Sequence, residues 1–201
     1  GIHTKPGSAG FSRSVVTRMT EKTLYTDKAD AEIVAENGFD YMDGYISNQF
    51  MDASWQSWMW RRAPGFFDVV NPNNKSYQPS PNSHHHNLGV PPELIIAKCR
   101  DFDQQWYVGV QGDLTGGNYY LGALNTDGAF VSTSSGYFAW ENQNEDTFYS
   151  TLFGTNEGYI HYLFASVPGI SKVGSYTGNG SEVTVDCGFT NGARWLLVKR
   201  A

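Results

Sequence analysis

Short apolar and aromatic runs alternate along the whole chain with stretches rich in Gly, Asn, Ser and Pro. That rhythm predicts short strands joined by tight turns. The pattern places strands at 22–26, at Phe39 and Tyr41, and at 55–61, 66–70, 83–87, 94–100, 106–110 and 119–124. Further strands are expected at Ala129 and Phe130, and at 137–140, 148–153 and 159–165. Residues 27–36 suggest a turn or two of helix, with Asp27 or Asp30 able to cap it. Asn37-Gly38 is a hairpin turn signal, and the acidic stretch 101–104 joins two of the strands. Large aromatics on both faces of 55–61 call for a strand covered on both sides. The count and spacing fit an all-β chain, an antiparallel two-sheet sandwich or jelly roll.

The same segment is written twice. Trp55, Trp58 and Trp60 align with Tyr159, Tyr162 and Phe164, and Pro64-Gly65 aligns with Pro168-Gly169, each pair 104 positions apart. Downstream, 87–98 aligns with 188–199 at an offset of 101. The lost residues fall in polar stretches suited to surface turns. Self-similarity at a fixed period predicts a tandem repeat of about 104 residues. Residues 1–64 then form the back part of one unit, 65–168 a complete unit and 169–201 the start of another, so an excerpt of a longer repeat protein is expected. The apolar run 195–199 becomes a strand equivalent to 94–98.

Composition narrows the function classes. The chain has 201 residues, enough to bury roughly 70% of its unfolded surface. Its net charge is −6 with no basic run, which argues against nucleic acid as a partner. No stretch approaches the roughly 18 apolar residues of a membrane-spanning helix, so membrane insertion is not expected. Cys99 and Cys187 fall at non-equivalent places in the repeat and read as buried free thiols.

Candidate chemistry is sparse. In a strand, His84 and His86 would share a face that His85 does not, and no third metal ligand is evident nearby, so a packing or surface role is expected. Asp101, Asp103, Glu141, Glu145 and Asp146 lie in polar turns and match no paired-carboxylate pattern for glycan cleavage. No Gly-x-Ser-x-Gly elbow occurs. Gly116-Gly117 and the glycines at 178 and 180 are turn glycines without a phosphate-loop pattern, so neither cofactor nor metal is expected. Trp55, Trp58, Trp60, Trp106 and Trp195 read as core. Trp140 borders a polar loop and, with Asn142 and Asn144, is the candidate carbohydrate-binding set: a ring to stack a sugar and amides to bond its hydroxyls.

Residues 162–165, Pro168-Gly169, 172–180, 187–189 and 195–200 together resemble a repeated domain of tailed-phage virion proteins, found especially in phages of marine bacteria and cyanobacteria. The likeness covers most of 55–201 and is weaker over 1–54. It implies a concanavalin-like β-sandwich strung in tandem along a tail fibre or another virion-surface protein. It brings no catalytic motif. The expected role is therefore a non-enzymatic virion component at the particle surface, most directly a tail-fibre adhesin. A capsid or neck decoration protein is the alternative, and a polysaccharide depolymerase the third reading. The implied partners are other virion proteins, a host surface glycan and further copies of the chain.

Overall fold

Thirteen strands and no α-helix make up the regular structure of this computed structural model, which describes residues 2–4, 14–17, 19, 22–34, 56–72, 82–111, 119–133, 137–138, 142–152 and 158–200. The protein is all-β, an antiparallel sandwich. One sheet has the order β4-β3-β2-β1-β5. Its strands are β1 (Ile2–Thr4), β2 (Ser14–Val16), β3 (Lys22–Tyr25), β4 (Ile33–Val34) and β5 (Gln56–Trp58). The larger sheet has the order β11-β10-β9-β8-β13-β6. It contains β6 (Phe67–Val70), β8 (Leu94–Cys99), β9 (Trp106–Val110), β10 (Tyr119–Ala123), β11 (Val131–Thr133) and β13 (Tyr159–Phe164). A two-stranded ribbon, β7 (Ser83–His85) with β12 (Thr147–Tyr149), completes the set.

The six-stranded sheet is the centre because its inner strands are apolar on both faces. Register fixes which side chains share a face: Tyr162 lies opposite Val69 and Ile96, and Ile96 opposite Val108. On this face Phe67, Val69, Ile96, Trp106, Val108, Ile160 and Tyr162 pack with Val15 and Leu24 of the first sheet. On the reverse face Ile95, Ala97, Cys99, Tyr159 and Leu163 pack with Leu88, Phe138, Phe148 and Leu152 from the ribbon and its flanking loops. Burying each large side chain contributes about 1.5–3 kcal/mol. The meander β8–β9–β10–β11 needs only short connections, whereas β13 arrives late in the chain and inserts between β8 and β6.

Two glycines let aromatic rings approach this sheet closely. A Cβ at Gly109 would overlap the Phe138 ring on the reverse face, and one at Gly122 would overlap the Phe130 ring on the other. Both Pro-Gly pairs make the same turn. Phe66 N and Phe67 N donate to the Ala63 carbonyl at 3.1 Å, and Ile170 N and Ser171 N donate to Val167 at 3.0 Å. Gly65 and Gly169 each sit at φ 74°, a conformation that L side chains rarely adopt.

Several expectations change. Residues 27–36 hold no helix among the described residues: after a turn the chain runs extended into β4. The N–H of Ala31 goes to Asp103 Oδ1 at 2.9 Å and that of Glu32 to the Arg100 carbonyl at 2.8 Å, and the β-branched Ile33 and Val34 pair with β3. Tertiary acceptors thus replace the helical ladder. Ala129 and Phe130 precede β11 and are not part of it, and Tyr137 and Phe138 form a bend. The run 195–199 is not a strand: it joins no sheet and is held instead by single bonds to the loop before β11. Among the described residues of 55–61, only Gln56–Trp58 pairs, with β1. The Asn37-Gly38 turn, Phe39, Tyr41, Trp55, Gly116-Gly117, Trp140 and Glu141 lie outside the described residues.

The loop between β3 and β4 is strapped to the end of the large sheet. Arg100 donates twice to Glu32, from Nε to Oε2 at 2.8 Å and from Nη2 to Oε1 at 2.6 Å, and Lys22 Nζ joins Glu32 Oε1 at 3.1 Å. The Glu32 and Arg100 side chains are only 3% and 10% exposed. Lys98, fully buried, spends its Nζ on the carbonyls of Ala29 and Cys99, each at 2.9 Å.

Urea unfolding tests the strap and one of the close-packed glycines. Arg100→Ala leaves the buried Glu32 carboxylate with Lys22 alone and should cost about 3 kcal/mol, whereas the paired change Arg100→Met with Glu32→Gln recovers most of it. Gly109→Ala should cost about 1–3 kcal/mol by overpacking against Phe138, and an unchanged midpoint would show that the ring does not rest on the glycine.

Candidate ligand-binding cleft

Among the described residues, the first sheet packs on one end of the large sheet's face through Val15 and Leu24. At the other end, beyond Leu94, Val110 and Phe164, the coverage comes from the segment 169–199, which carries almost no regular structure. Apart from a single bridge at Ser171, it makes no ladder pairing. A few bonds hold it: Val173 N donates to Ser166 Oγ at 2.9 Å, Phe130 N donates to the Arg200 carbonyl at 2.8 Å, and Lys199 Nζ donates to the Thr126 carbonyl. Between this segment and the sheet lies a cavity of about 540 Å³.

The floor is apolar, built from Leu94, Val108, Val110, Leu124, Phe130 and Phe164. Aromatic rings define one side. Trp60 meets Trp195 edge-on at 5.2 Å and Phe164 at 6.2 Å, while Phe67 packs on Phe164 at 4.8 Å. Trp58, half-buried at the end of β5, also lines the cleft. The far wall adds Ser171, Thr190 and Asn191 with the cations Lys172, Arg194 and Lys199. Among the described residues no aspartate, glutamate or histidine lines it. The arrangement offers stacking surface, hydroxyl and amide groups, and positive charge, with no carboxylate for proton transfer among those residues.

The tryptophans expected in the core divide by position. Trp106 is buried on β9, and its Nε1 donates to the Tyr25 carbonyl at 2.7 Å. Trp58 and Trp60 are half-buried, and Trp195 is 36% exposed at the cleft. The far wall could not be read from the sequence, because its residues belong to no strand and meet the floor only through tertiary contact. The one usable signal was aromatic: Trp60 falls just past the strand β5, and Trp195 opens an apolar run that stays outside any ladder.

The loop holding Asn142 and Asn144 lies on the ribbon side. Both residues are exposed. The Asn144 side chain serves its own turn: Oδ1 accepts from Asp146 N at 2.9 Å and Thr147 N at 2.8 Å, and Nδ2 donates to Thr147 Oγ1 at 2.7 Å. Trp140, the third member of that set, lies outside the described residues. The other singled-out carboxylates hold backbone in place: Asp101 Oδ2 accepts from Gly158 N at 2.6 Å, and Asp103 from Ala31. Glu145 and Asp146 are exposed. Cys99 is buried and Cys187 half-buried, both as free thiols. Among the described residues no group of three or more His, Cys, Asp or Glu is placed to hold a metal, and no helix is long and apolar enough to cross a membrane.

The family model described as a domain of unknown function (DUF7483) matches residues 9–201, a span that includes both walls of the cleft. The chain belongs to this family. No curated protein and no solved structure matches it.

This DUF7483 chain also buries imidazoles behind its central sheet. His84 and His86 point inward from the ribbon and His85 outward. His84 stacks on His161 at 6.4 Å, with Phe148 packed against both at 5.3 and 5.0 Å. His161 Nε2 lies 3.3 Å from Ser150 Oγ. His86 accepts at Nδ1 from Leu88 N at 3.0 Å and donates from Nε2 to the Asn144 carbonyl at 3.1 Å, which requires the neutral ring. Nearby, the buried Asp68 accepts from Val69 N at 2.8 Å, from Asn87 N at 2.7 Å and from Arg62.

Burial lowers all three imidazole pKa values. His84 falls to about 4, and His161 falls well below its ordinary value, with His84 adding a smaller push. In His86, the Asn144 carbonyl and Asp68 oppose the burial effect without cancelling it. The unfolded chain therefore binds more protons than the folded one between pH 6.5 and about 4, and stability falls as pH drops through that window. His84 alone should contribute a loss of about 3 kcal/mol. Urea midpoints measured from pH 7.5 to 4.5 should decline, and His84→Gln should flatten the slope. An equal slope in that variant would remove His84 from the effect.

Proposed function

We propose that the chain is a non-enzymatic structural component of a phage virion, displayed on the particle surface and used in host attachment as part of a tail fibre. The observation that carries the reading is the cleft: aromatic rings, hydroxyl and amide groups converge on one end of a sandwich whose central sheet is packed on both faces. A rigid β scaffold presenting aromatics beside polar groups is a common way to hold a saccharide. The resemblance of 162–200 to virion-surface domains supports the setting. The described lining also lacks the two carboxyls that glycan cleavage requires, which weighs against a depolymerase.

A second reading, decoration of the capsid or neck, draws on a different feature. Leu196 and Val198 are 73% and 55% exposed in sequence beside Trp195. An apolar stretch of that kind suits packing against other virion proteins or another copy of the chain.

The chain fused to a trimerising tag should bind host cells and reduce adsorption of the particle that carries it. Gold-labelled antibody against the chain should mark the tail fibres. Labelling of the capsid or neck without host-cell binding would replace the adhesin with the decoration protein.

A further inference from the structure

The charge of the cleft runs against the charge of the protein. The chain carries −6 overall, yet the cleft is lined by Lys172, Arg194 and Lys199 and, among the described residues, by no acidic one. Lys199 is committed to the Thr126 carbonyl. Lys172 and Arg194 are exposed on the far wall, and neither has an ion-pair partner among the described residues. Two uncompensated cations beside an aromatic side and an apolar floor present two recognition modes at once. Rings and floor receive the C–H face of a pyranose, and the cations receive an anionic substituent, most strongly as charge-assisted hydrogen bonds from the Arg194 guanidinium. Ser171, Thr190 and Asn191 lie on the same wall and can bond ring hydroxyls. A fatty acid would fit less well, because the residues from 190 to 194 leave that wall exposed and polar where an alkyl chain needs enclosure.

From this complementarity we infer that the cleft between the large sheet and the segment 169–199 binds an acidic saccharide, with Trp58 and Trp60 stacking the sugar and Lys172 and Arg194 holding its anionic group. The inference rests on the adhesin reading and names its substrate class. Uronate and sulfate sugars share the required chemistry, so both are used as probes.

Calorimetric titration of the chain with tetragalacturonate, with its fully methyl-esterified form and with a sulfated tetrasaccharide tests it. At least one acidic saccharide should bind, with affinity that falls as salt rises. The ester should bind at least about tenfold more weakly than the free acid, as loss of a charge-assisted contact implies. The double variant Lys172→Gln with Arg194→Gln should lose affinity to a similar degree while keeping the wild-type unfolding midpoint, since both side chains are exposed. Arg194→Lys should retain most of the binding. Equal binding of acid and ester, or an unaffected double variant, overturns the assignment. So does the failure of both acidic saccharides to bind, or binding of decanoate in their place.

The two readings fail separately. A double variant that attaches to host cells like the wild type would sink the role of the cleft and leave adhesion standing. Saccharide binding by a chain that does not attach to host cells would sink adhesion and leave the cleft standing.

Discussion

Strands β8 and β13 are apolar on both faces, so the sheet they centre can face water on neither side. That constraint dictates every other layer. The first sheet supplies Val15 and Leu24 to one face, and the ribbon with its loops supplies Phe138, Phe148 and Leu88 to the other. The coverage is uneven because the first sheet is shorter in its described strands than the face it must cover. Where it ends, at Leu94, Val110 and Phe164, an irregular segment takes over and the packing opens into the cleft. The candidate site is thus a consequence of how the central sheet is covered.

Buried polar groups fix how the layers meet. Asp68, Lys98, Glu32 and Arg100 each bond to groups distant in the chain, so the partners are defined only once the sheets are in place. A low-dielectric setting strengthens such bonds and raises the cost of breaking any one of them. The imidazoles of His84, His86 and His161 serve the reverse face as neutral packing rings. Burial lowers the pKa of each, which keeps the rings neutral in the folded chain.

The two Pro-Gly turns show how far a local signal reaches. Both have the same hydrogen bonds and the same positive φ at glycine, as their shared sequence implies. Beyond the turns the two copies diverge. After the first, Phe67–Val70 pairs with β13 and becomes a strand; after the second, the chain joins no ladder beyond the bridge at Ser171 and stays irregular. A strand is defined by its neighbour, and the similarity of 195–199 to Leu94–Cys99 cannot supply one. Residues 27–36 make the same point. Their composition tolerates a helical turn, but Asp103 and Arg100 offer acceptors to Ala31 and Glu32, and β3 offers Ile33 and Val34 a ladder.

By itself the sequence determined the class of the molecule. Apolar runs between turn residues demand antiparallel strands. Yet 55–61, with aromatics on both faces, gave only the edge strand β5, leaving Met59 54% exposed, while the runs 94–99 and 159–164 took the centre. Likewise Pro-Gly dictated where the chain reverses, since only glycine adopts that φ without strain. Tertiary structure alone decided which apolar runs became strands, which histidines were buried and where the cleft opened. Trp60 stands more than a hundred positions before Lys172, Arg194 and Trp195, and no local pattern brings them together. They meet because the face of the central sheet must be covered, and the segment that covers this end of it does so through side chains and single bonds.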